Sequence, residues 1–346
     1  MYFRTQGPLR WLIAAAVFPL LIGCRSDDAH EEPPKSFEGF SAPAHFPAPV
    51  YGFENNPVTE AGFELGKKLF YDKRLSADGT VSCGTCHAQV HGFADHNIPL
   101  SFGIEERRGM RNTPGLANLA WTPAFMWDGG INHIEVIPIA PLTDSTEMGH
   151  DLAALISFLQ TQTEYPKDFE TAFGSSEIDT RNMLLALTQF QSCLISAGSK
   201  YDQWLTGRTN LTPAENEGRE IFESKCASCH SGVLLTDFSY RNNGLDSIFT
   251  DEGRMRITLN PEDAGTFRVP SLRNVALTSP YMHDGRFRNL MQVLDHYDSG
   301  VKQSATLDPS LSGGIPLEDH EKERLIDFLR TLSDYDFISN HRFSEP

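Results

Sequence analysis

The chain has 346 residues, of which 40% are hydrophobic and 10% aromatic, and a formal net charge of −17 at pH 7. This length and apolar content are enough for two small domains. Because nucleic-acid phosphates would repel so acidic a chain, the charge argues against a nucleic-acid partner, whereas it is compatible with a basic electron donor.

The N-terminus has the layout of a secretory signal, with two arginines ahead of an apolar run from Trp11 to Ile22 that is short for a transmembrane span. The run ends in Leu-Ile-Gly-Cys, which resembles the lipobox of bacterial lipoproteins. We therefore predict a lipoprotein signal peptide over residues 1–23 and acylation of Cys24; the alternative is an ordinary cleaved signal with an incidental cysteine. Arg25, rather than aspartate, after the acylated cysteine favours the outer membrane, facing the bacterial periplasm.

Residues 24–50 are rich in proline, serine, alanine and acidic residues and show no apolar period. Such a composition buries too little apolar surface to fold. We predict a flexible tether that holds the globular part away from the membrane.

The chain carries two Cys-x-x-Cys-His motifs, formed by Cys83, Cys86 and His87 and by Cys226, Cys229 and His230. This spacing is the attachment signature of a c-type haem, in which the thiols bond to the haem and the histidine becomes the proximal iron ligand. A structural zinc site, the alternative, usually has a second cysteine pair close by. Cys193 lies among apolar residues at helical spacing, which predicts a buried free thiol and no disulfide framework.

Helical patterns dominate the rest of the chain. They cover residues 151–162, 179–207 and 318–332, and Thr212 with Glu215 three residues later predicts a capping box at a helix start. Strand signals are few, so we predict a mainly α fold.

An imperfect repeat leads into the two haem motifs. Gly66-Lys-Lys-Leu-Phe70 precedes the first and Gly218-Arg-Glu-Ile-Phe222 the second, and the first cysteines of the motifs are 143 residues apart. Each copy is typical of a helix that leads into a haem loop. We predict two cytochrome c-like domains with long loops, residues 51–207 and 208–346, each with one covalent c-type haem.

Further blocks extend this pattern over most of the chain. They are Leu65-Gly-Lys-Lys-Leu-Phe-Tyr-Asp72, Arg111-Asn-Thr-Pro114, Trp127-Asp-Gly129, Glu147-Met-Gly149, Pro270-Ser-Leu-Arg-Asn-Val275, Pro280-Tyr-Met-His-Asp-Gly285 and His296-Tyr297. In the order and spacing of these blocks, the chain resembles the bacterial di-haem cytochrome c peroxidase family, in its MauG-like branch. The resemblance runs from about Asn56 to Asp334.

The resemblance implies an enzyme that reduces hydrogen peroxide to water. The reactive haem would be on His87 and the electron-transfer haem on His230. Electrons would come from a small redox protein, a cytochrome c or cupredoxin, or from a side chain of a cognate exported protein. A non-catalytic electron-transfer cytochrome and a peroxide-dependent protein-modifying oxygenase stay open as alternatives.

The resemblance also implies a sixth ligand for the second haem. Tyr297 stands where the MauG-like branch has tyrosine and other members have methionine. A phenolate is a hard anionic donor that lowers the haem potential, whereas a thioether favours ferrous iron. The rival ligands are Met282, Met291, His283 and His296, and His283 is expected to lie beside the haem without binding iron.

For the peroxide site, Glu147 matches the distal glutamate of the family, an acid–base group that moves a proton between the peroxide oxygens. Pro141 falls where MauG-like proteins have a distal proline, and Ile137 replaces the usual glutamine. Neither His91 nor His96 has the spacing of the histidine that blocks the iron in other members. We predict a site that is open without reductive activation, with His91 as the alternative capping ligand.

Two further roles come with the resemblance. Trp127 corresponds to a tryptophan between the two haems, where an indole would assist hole transfer. Asn112, Thr278 and Pro280 match positions that hold a calcium ion between the domains, a hard cation that prefers amide and carbonyl oxygens. Without the resemblance, Trp127 and Asn112 would be interpreted as a packed residue and a turn cap.

Overall fold

The computed structural model describes residues 1–3, 7, 37, 39–95 and 97–346. The acylation prediction at Cys24, the sorting prediction at Arg25 and the rival ligand His96 lie outside these residues. The chain divides into Met1–Phe37 and a compact unit, Glu38–Pro346, to which every assigned helix and strand belongs. In the described part of the chain no helix is long and apolar enough to cross a membrane.

The compact unit is mainly helical. The α-helices of the described residues are α1 (Glu60–Tyr71), α2 (Cys83–Cys86), α3 (Ile139–Thr143), α4 (Leu152–Thr161), α5 (Tyr165–Phe173), α6 (Thr180–Ser192), α7 (Lys200–Leu205), α8 (Pro213–Lys225), α9 (Met255–Thr258), α10 (Leu290–Asp295), α11 (Asp319–Arg330) and α12 (Tyr335–Ser339). Two short strands, β1 (Tyr240–Arg241) and β2 (Phe267–Arg268), pair antiparallel. The mainly α prediction is confirmed.

Local chemistry explains where the helices begin. The Thr212 side chain accepts a hydrogen bond from Glu215 N at 3.3 Å, so the predicted capping box starts α8. The helical patterns over residues 151–162 and 318–332 correspond to α4 and α11. The pattern over residues 179–207 is interrupted, because α6 ends at Ser192 and α7 begins at Lys200.

The repeat in the sequence is also a repeat in packing. In the first half, a Cβ at Gly66 of α1 would clash with the carbonyl oxygen of Ala186 on α6. In the second half, a Cβ at Gly218 of α8 would clash with the carbonyl oxygen of Arg324 on α11. The glycines therefore let each helix that precedes a haem motif approach its partner helix closely, and the two motifs stand on the same kind of helix pair.

Candidate functional site

The first haem motif forms a tight turn that fixes the orientation of its histidine. Thr85 Oγ1 accepts from Ser82 N at 3.0 Å at the start of α2, and His87 N donates to Cys83 O at 2.9 Å. His87 Nδ1 lies 2.8 Å from Phe93 O. Because a carbonyl oxygen only accepts, Nδ1 carries the proton and Nε2 keeps its lone pair for a metal.

The second motif repeats this arrangement. His230 N donates to Cys226 O at 3.0 Å, and His230 Nδ1 lies 3.2 Å from Leu235 O. Burial lowers the pKa of both His87 and His230. Each imidazole is therefore held neutral and in the tautomer that an iron ligand needs.

The cysteines of the motifs are unpaired thiols. The five cysteines of the described residues are free thiols. Burial raises the pKa of Cys83 to about 12 and that of Cys86 to about 11, and it raises the pKa of Cys226 to about 12. Cys193 is buried, as predicted, and its pKa is raised by burial to about 11.

A cavity of about 340 Å³ lies against the second motif. Cys226, Cys229 and His230 line it together with apolar side chains such as Leu234 and Leu294. Two thiols, one imidazole and an apolar wall fit the flat, largely apolar macrocycle that the motif predicts.

Tyr297 lines the same cavity, from the π-helical turn His296–Gly300 that follows α10. Burial raises the pKa of its phenol to about 12, and a side-chain interaction with Asn243 acts in the opposite direction. An anionic ligand from this position therefore requires that the phenol lose its proton on binding a metal.

The rival ligands differ in position. Met282 and His283 line the cavity, and Met282 Sδ accepts from Asn243 Nδ2 at 3.3 Å. His283 stacks on Phe267 with ring centroids 3.8 Å apart. His296 Nε2 lies 3.0 Å from the Asn243 carbonyl oxygen, which occupies the nitrogen that most often binds metals.

Trp127 borders the same cavity from the first half of the chain. Its Nε1 donates to Asn112 O at 2.8 Å, and its carbonyl oxygen accepts from Arg268 N at 2.8 Å. Gly92, five residues after His87, lines the cavity as well. Residues near the first haem motif thus form part of the wall of the cavity at the second.

The three predicted calcium ligands lie along this wall. Asn112, Thr278 and Pro280 all line the cavity, and Asn112 Nδ2 donates to Pro99 O at 3.1 Å. No group of three or more His, Cys, Asp or Glu in the described residues could hold a metal ion. A calcium ion at this wall would therefore depend on amide and carbonyl oxygens, which are ligands that it accepts.

Glu147 is held by backbone hydrogen bonds on both sides. Its carbonyl oxygen accepts from Ile104 N at 2.8 Å, and the next residue, Met148, donates from its N to Pro141 O at 3.0 Å. Although the residue is exposed overall, the surrounding protein desolvates its carboxyl, and this desolvation raises the carboxyl pKa. The charge of Asp144 adds to the effect.

Glu147 interacts electrostatically with the first haem motif. Its charge contributes, after burial, to the raised pKa of the Cys83 and Cys86 thiols. Ala77 N also donates to Met148 O at 2.9 Å, which joins the segment of Glu147 and Pro141 to the residues that lead into the first motif.

Two other residues, His91 and Ile137, were predicted near the first haem. His91 is half-buried in the 3₁₀ turn Gln89–His91, and Ile137 is half-buried directly after the turn Ile134–Val136. Coordination of the first haem by His91 stays a prediction.

The structure also contains a second repeat that the sequence analysis missed. Phe125-Met-Trp-Asp-Gly129 and Tyr281-Met-His-Asp-Gly285 both begin a single antiparallel bridge, Phe125 with Ile131 and Tyr281 with Phe287. Met126 and Met282 both have positive φ, 65° and 75°. Trp127 and His283 are therefore equivalent positions in the two halves, and the shared Met-x-Asp-Gly letters were the signal.

Known proteins match this chain over most of its length. The family described as Di-haem cytochrome c peroxidase matches residues 60–210. Methylamine utilization protein MauG of Methylophilus methylotrophus is 35% identical over 311 residues, 87% of this chain and 89% of MauG. Cytochrome c551 peroxidase of Pseudomonas aeruginosa is 31% identical over 337 residues, 94% of this chain and 91% of the peroxidase.

A solved structure agrees with these matches. It is that of a MauG-like protein associated with microbial copper homeostasis, with 33% identity and a TM-score of 0.83 over 89% of this chain and 99% of that protein. This identity and coverage confirm the family suggested by the sequence motifs. The chain belongs to the di-haem cytochrome c peroxidase family, whose proteins carry two c-type haems.

Proposed function

We propose that this chain is an exported di-haem peroxidase of MauG-like type, which reduces hydrogen peroxide to two molecules of water with two electrons and two protons. Cys83 and Cys86 would bond to the first haem and Cys226 and Cys229 to the second. When bound, each haem supplies an iron centre that accepts or stores electrons and leaves the placement of protons to the protein.

The histidines of the motifs would be the proximal ligands. The Nδ1 atoms of His87 and His230 are turned to backbone carbonyl oxygens, at 2.8 and 3.2 Å. Such a hydrogen bond fixes the ring orientation and makes the opposite nitrogen a stronger donor to metal.

Glu147 would move the proton. The observation that carries the proposal is that its carboxyl has a raised pKa and is near enough to Cys83 and Cys86 for its charge to raise the pKa of both thiols. A carboxyl with a raised pKa takes a proton from one peroxide oxygen and returns it to the other, which leaves as water. Pro141, one hydrogen bond away through Met148, would limit the space beside this carboxyl.

Tyr297 and Trp127 would control the second haem. The Tyr297 phenol lines the cavity of the second motif, and as a phenolate it would lower the potential of the haem there. Trp127 borders the same cavity and would carry electrons between the two sites. The hydrogen bond of its indole to Asn112 O fixes the ring.

Three further features belong to the proposal. Asn112, Thr278 and Pro280 would hold a calcium ion and so keep the two halves in register. Cys24 would carry the lipid anchor, which would place the enzyme in the periplasm at the outer membrane. The electron donor would be a small cytochrome c or cupredoxin, or a side chain of a cognate exported protein.

One experiment separates the proposal from its alternative. One equivalent of hydrogen peroxide is added to the ferric protein, and the visible and near-infrared spectrum is followed. We expect a prompt shift of the Soret band and a near-infrared band from two coupled haems. A spectrum that stays unchanged in both the ferric and the half-reduced protein would indicate a non-catalytic electron carrier.

A further inference from the structure

The cavity at the second motif has cations in its wall and, among the described residues that line it, no carboxylate. Three of its four Lys and Arg side chains have acidic partners elsewhere. They are Lys225 with Glu321 at 2.8 Å, Arg241 with Asp237 and Asp308 at 2.8 Å each, and Arg273 with Asp202 at 2.7 Å. These three charges are therefore neutralised from outside the cavity.

Arg268 is the exception. It forms no ion pair with any described residue, and its buried Nε has no hydrogen-bond partner. Burial lowers the pKa of this guanidinium. An unpaired buried charge costs several kcal/mol, and a folded protein retains one where a ligand supplies the missing acceptor.

The backbone fixes where this guanidinium lies. Arg268 is in β2, opposite Tyr240 of β1, and its N–H donates to the carbonyl oxygen of Trp127 at 2.8 Å. Its side chain lines the cavity of the second motif from this strand. Arg268 therefore contacts Trp127 through its backbone, and its charged side chain forms part of the cavity wall.

The occupant of the cavity should be an anion with planar oxygen pairs. The planar fork of a guanidinium matches a carboxylate by two parallel hydrogen bonds. A haem carries two propionate carboxylates, and the Cys-x-x-Cys-His motif in the same wall predicts a haem here.

We infer that Arg268 binds a propionate of the second haem and thereby raises the potential of that haem. The inference rests on the proposed attachment of this haem at Cys226 and Cys229. A positive charge near the haem disfavours the ferric state, which carries one more positive charge than the ferrous state. Arg268 therefore counteracts the phenolate proposed at Tyr297, which has the opposite effect.

The test compares three variants by spectroelectrochemical titration of the second haem. Arg268→Gln removes the charge, Arg268→Lys keeps it, and Arg256→Gln removes a charge at an exposed position of α9. We expect Arg268→Gln to lower the ratio of ferrous to ferric second haem by about tenfold at a fixed potential, which is about 59 mV for a one-electron couple. Arg268→Lys and Arg256→Gln should stay within about twofold of the parent chain.

An equal ratio in Arg268→Gln and Arg256→Gln would overturn the inference. If Arg268→Gln does not fold, the propionate bending band in the resonance Raman spectrum decides between the parent chain and Arg268→Lys, because an ammonium cannot reproduce the two parallel bonds of a guanidinium. A shifted band is expected, and an unchanged band would overturn the inference.

Peroxide plays no part in these measurements. An Arg268-dependent potential in a protein that leaves peroxide untouched would support the role of Arg268 and overturn the peroxidase proposal. Peroxide turnover with a potential that is independent of Arg268 would support the peroxidase proposal and overturn the role of Arg268. A chain that carries no haem at Cys226 and Cys229 would overturn both.

Discussion

Replacing Asp202 by asparagine should strongly destabilise the fold around the cavity at the second haem motif. Asp202 is fully buried in the first turn of α7. Its carboxylate accepts from Arg273 Nη1 and Nη2 at 2.9 and 2.7 Å, from Ser199 Oγ at 2.6 Å and from His45 Nε2 at 2.9 Å. Burial acts to raise the pKa of Asp202, but the hydrogen bonds and charge of Arg273 outweigh it, and the pKa is lowered overall.

The size of the effect follows from the buried Arg273 guanidinium, which would lose its partner. The asparagine side chain would occupy nearly the same volume, so no cavity opens, but the Arg273 guanidinium, of which 2% is exposed, would lose its counter-charge. Breaking a buried ion pair from one side costs about 3–5 kcal/mol. For a protein of this size, the thermal midpoint should fall by on the order of 10 °C.

The assay is thermal unfolding followed by circular dichroism, with Asp168→Asn as the control. The Lys68–Asp168 pair is as short, 2.6 Å, but 33% and 36% of its side chains are exposed, so its loss should cost about 1 kcal/mol or less. Equal midpoints for the two variants would refute the reasoning.

The pH dependence provides a second check. Because the pKa of Asp202 is lowered in the folded state, its contribution to stability is present above the unfolded value of 3.8 and is lost as the pH falls through the folded value. The deficit of Asp202→Asn should therefore persist at pH 5 and shrink only below about pH 3.8. A deficit that disappears between pH 7 and pH 5 would contradict the assignment.

Three other predictions concern packing and haem chemistry. Gly66→Ala and Gly218→Ala should each lower the free energy of unfolding by about 1–3 kcal/mol in denaturant titrations, because the added Cβ meets a partner-helix carbonyl oxygen, whereas Gly313→Ala, with open space around it, should be neutral. Equal midpoints for all three would be inconsistent with the close helix contacts. Tyr297→Met should raise the potential of the second haem in a redox titration, since a thioether favours ferrous iron; an unchanged potential would exclude the phenolate. Cys193→Ser should cost about 1–3 kcal/mol of stability in the same denaturant titrations, since the buried hydroxyl loses water, and should leave peroxide turnover unchanged; a loss of turnover at unchanged stability would point to a reactive thiol.

Much of the helical framework could be predicted from local sequence. Thr212 and Glu215 identify the start of α8, because both halves of a capping box lie within four residues. The break between α6 and α7 could not be predicted, since it depends on distant partners. Ser196 N donates to Asn118 Oδ1 at 2.9 Å and Gly198 N to Asp334 Oδ2 at 2.8 Å, and helical periodicity contains no information about such acceptors.

The candidate site was predictable to a similar degree. The motif spacing identifies the cysteines and histidines, but it cannot choose between Tyr297, Met282 and His283, all of which line one cavity. Arg268 gave no signal in the sequence, because an arginine without a partner resembles any other arginine until its surroundings are known. Its role follows from its place in the cavity wall and from its buried Nε, which has no hydrogen-bond partner.

The central claim is that Glu147 is the acid–base group of a peroxidase. Its most direct test is the rate of peroxide reduction by the haem-loaded protein after Glu147→Gln, beside Glu106→Gln as an exposed control from a neighbouring loop. We predict a loss of about 10²–10⁴-fold for Glu147→Gln and an unchanged rate for the control. Rates within about threefold of each other in the two variants would contradict the account.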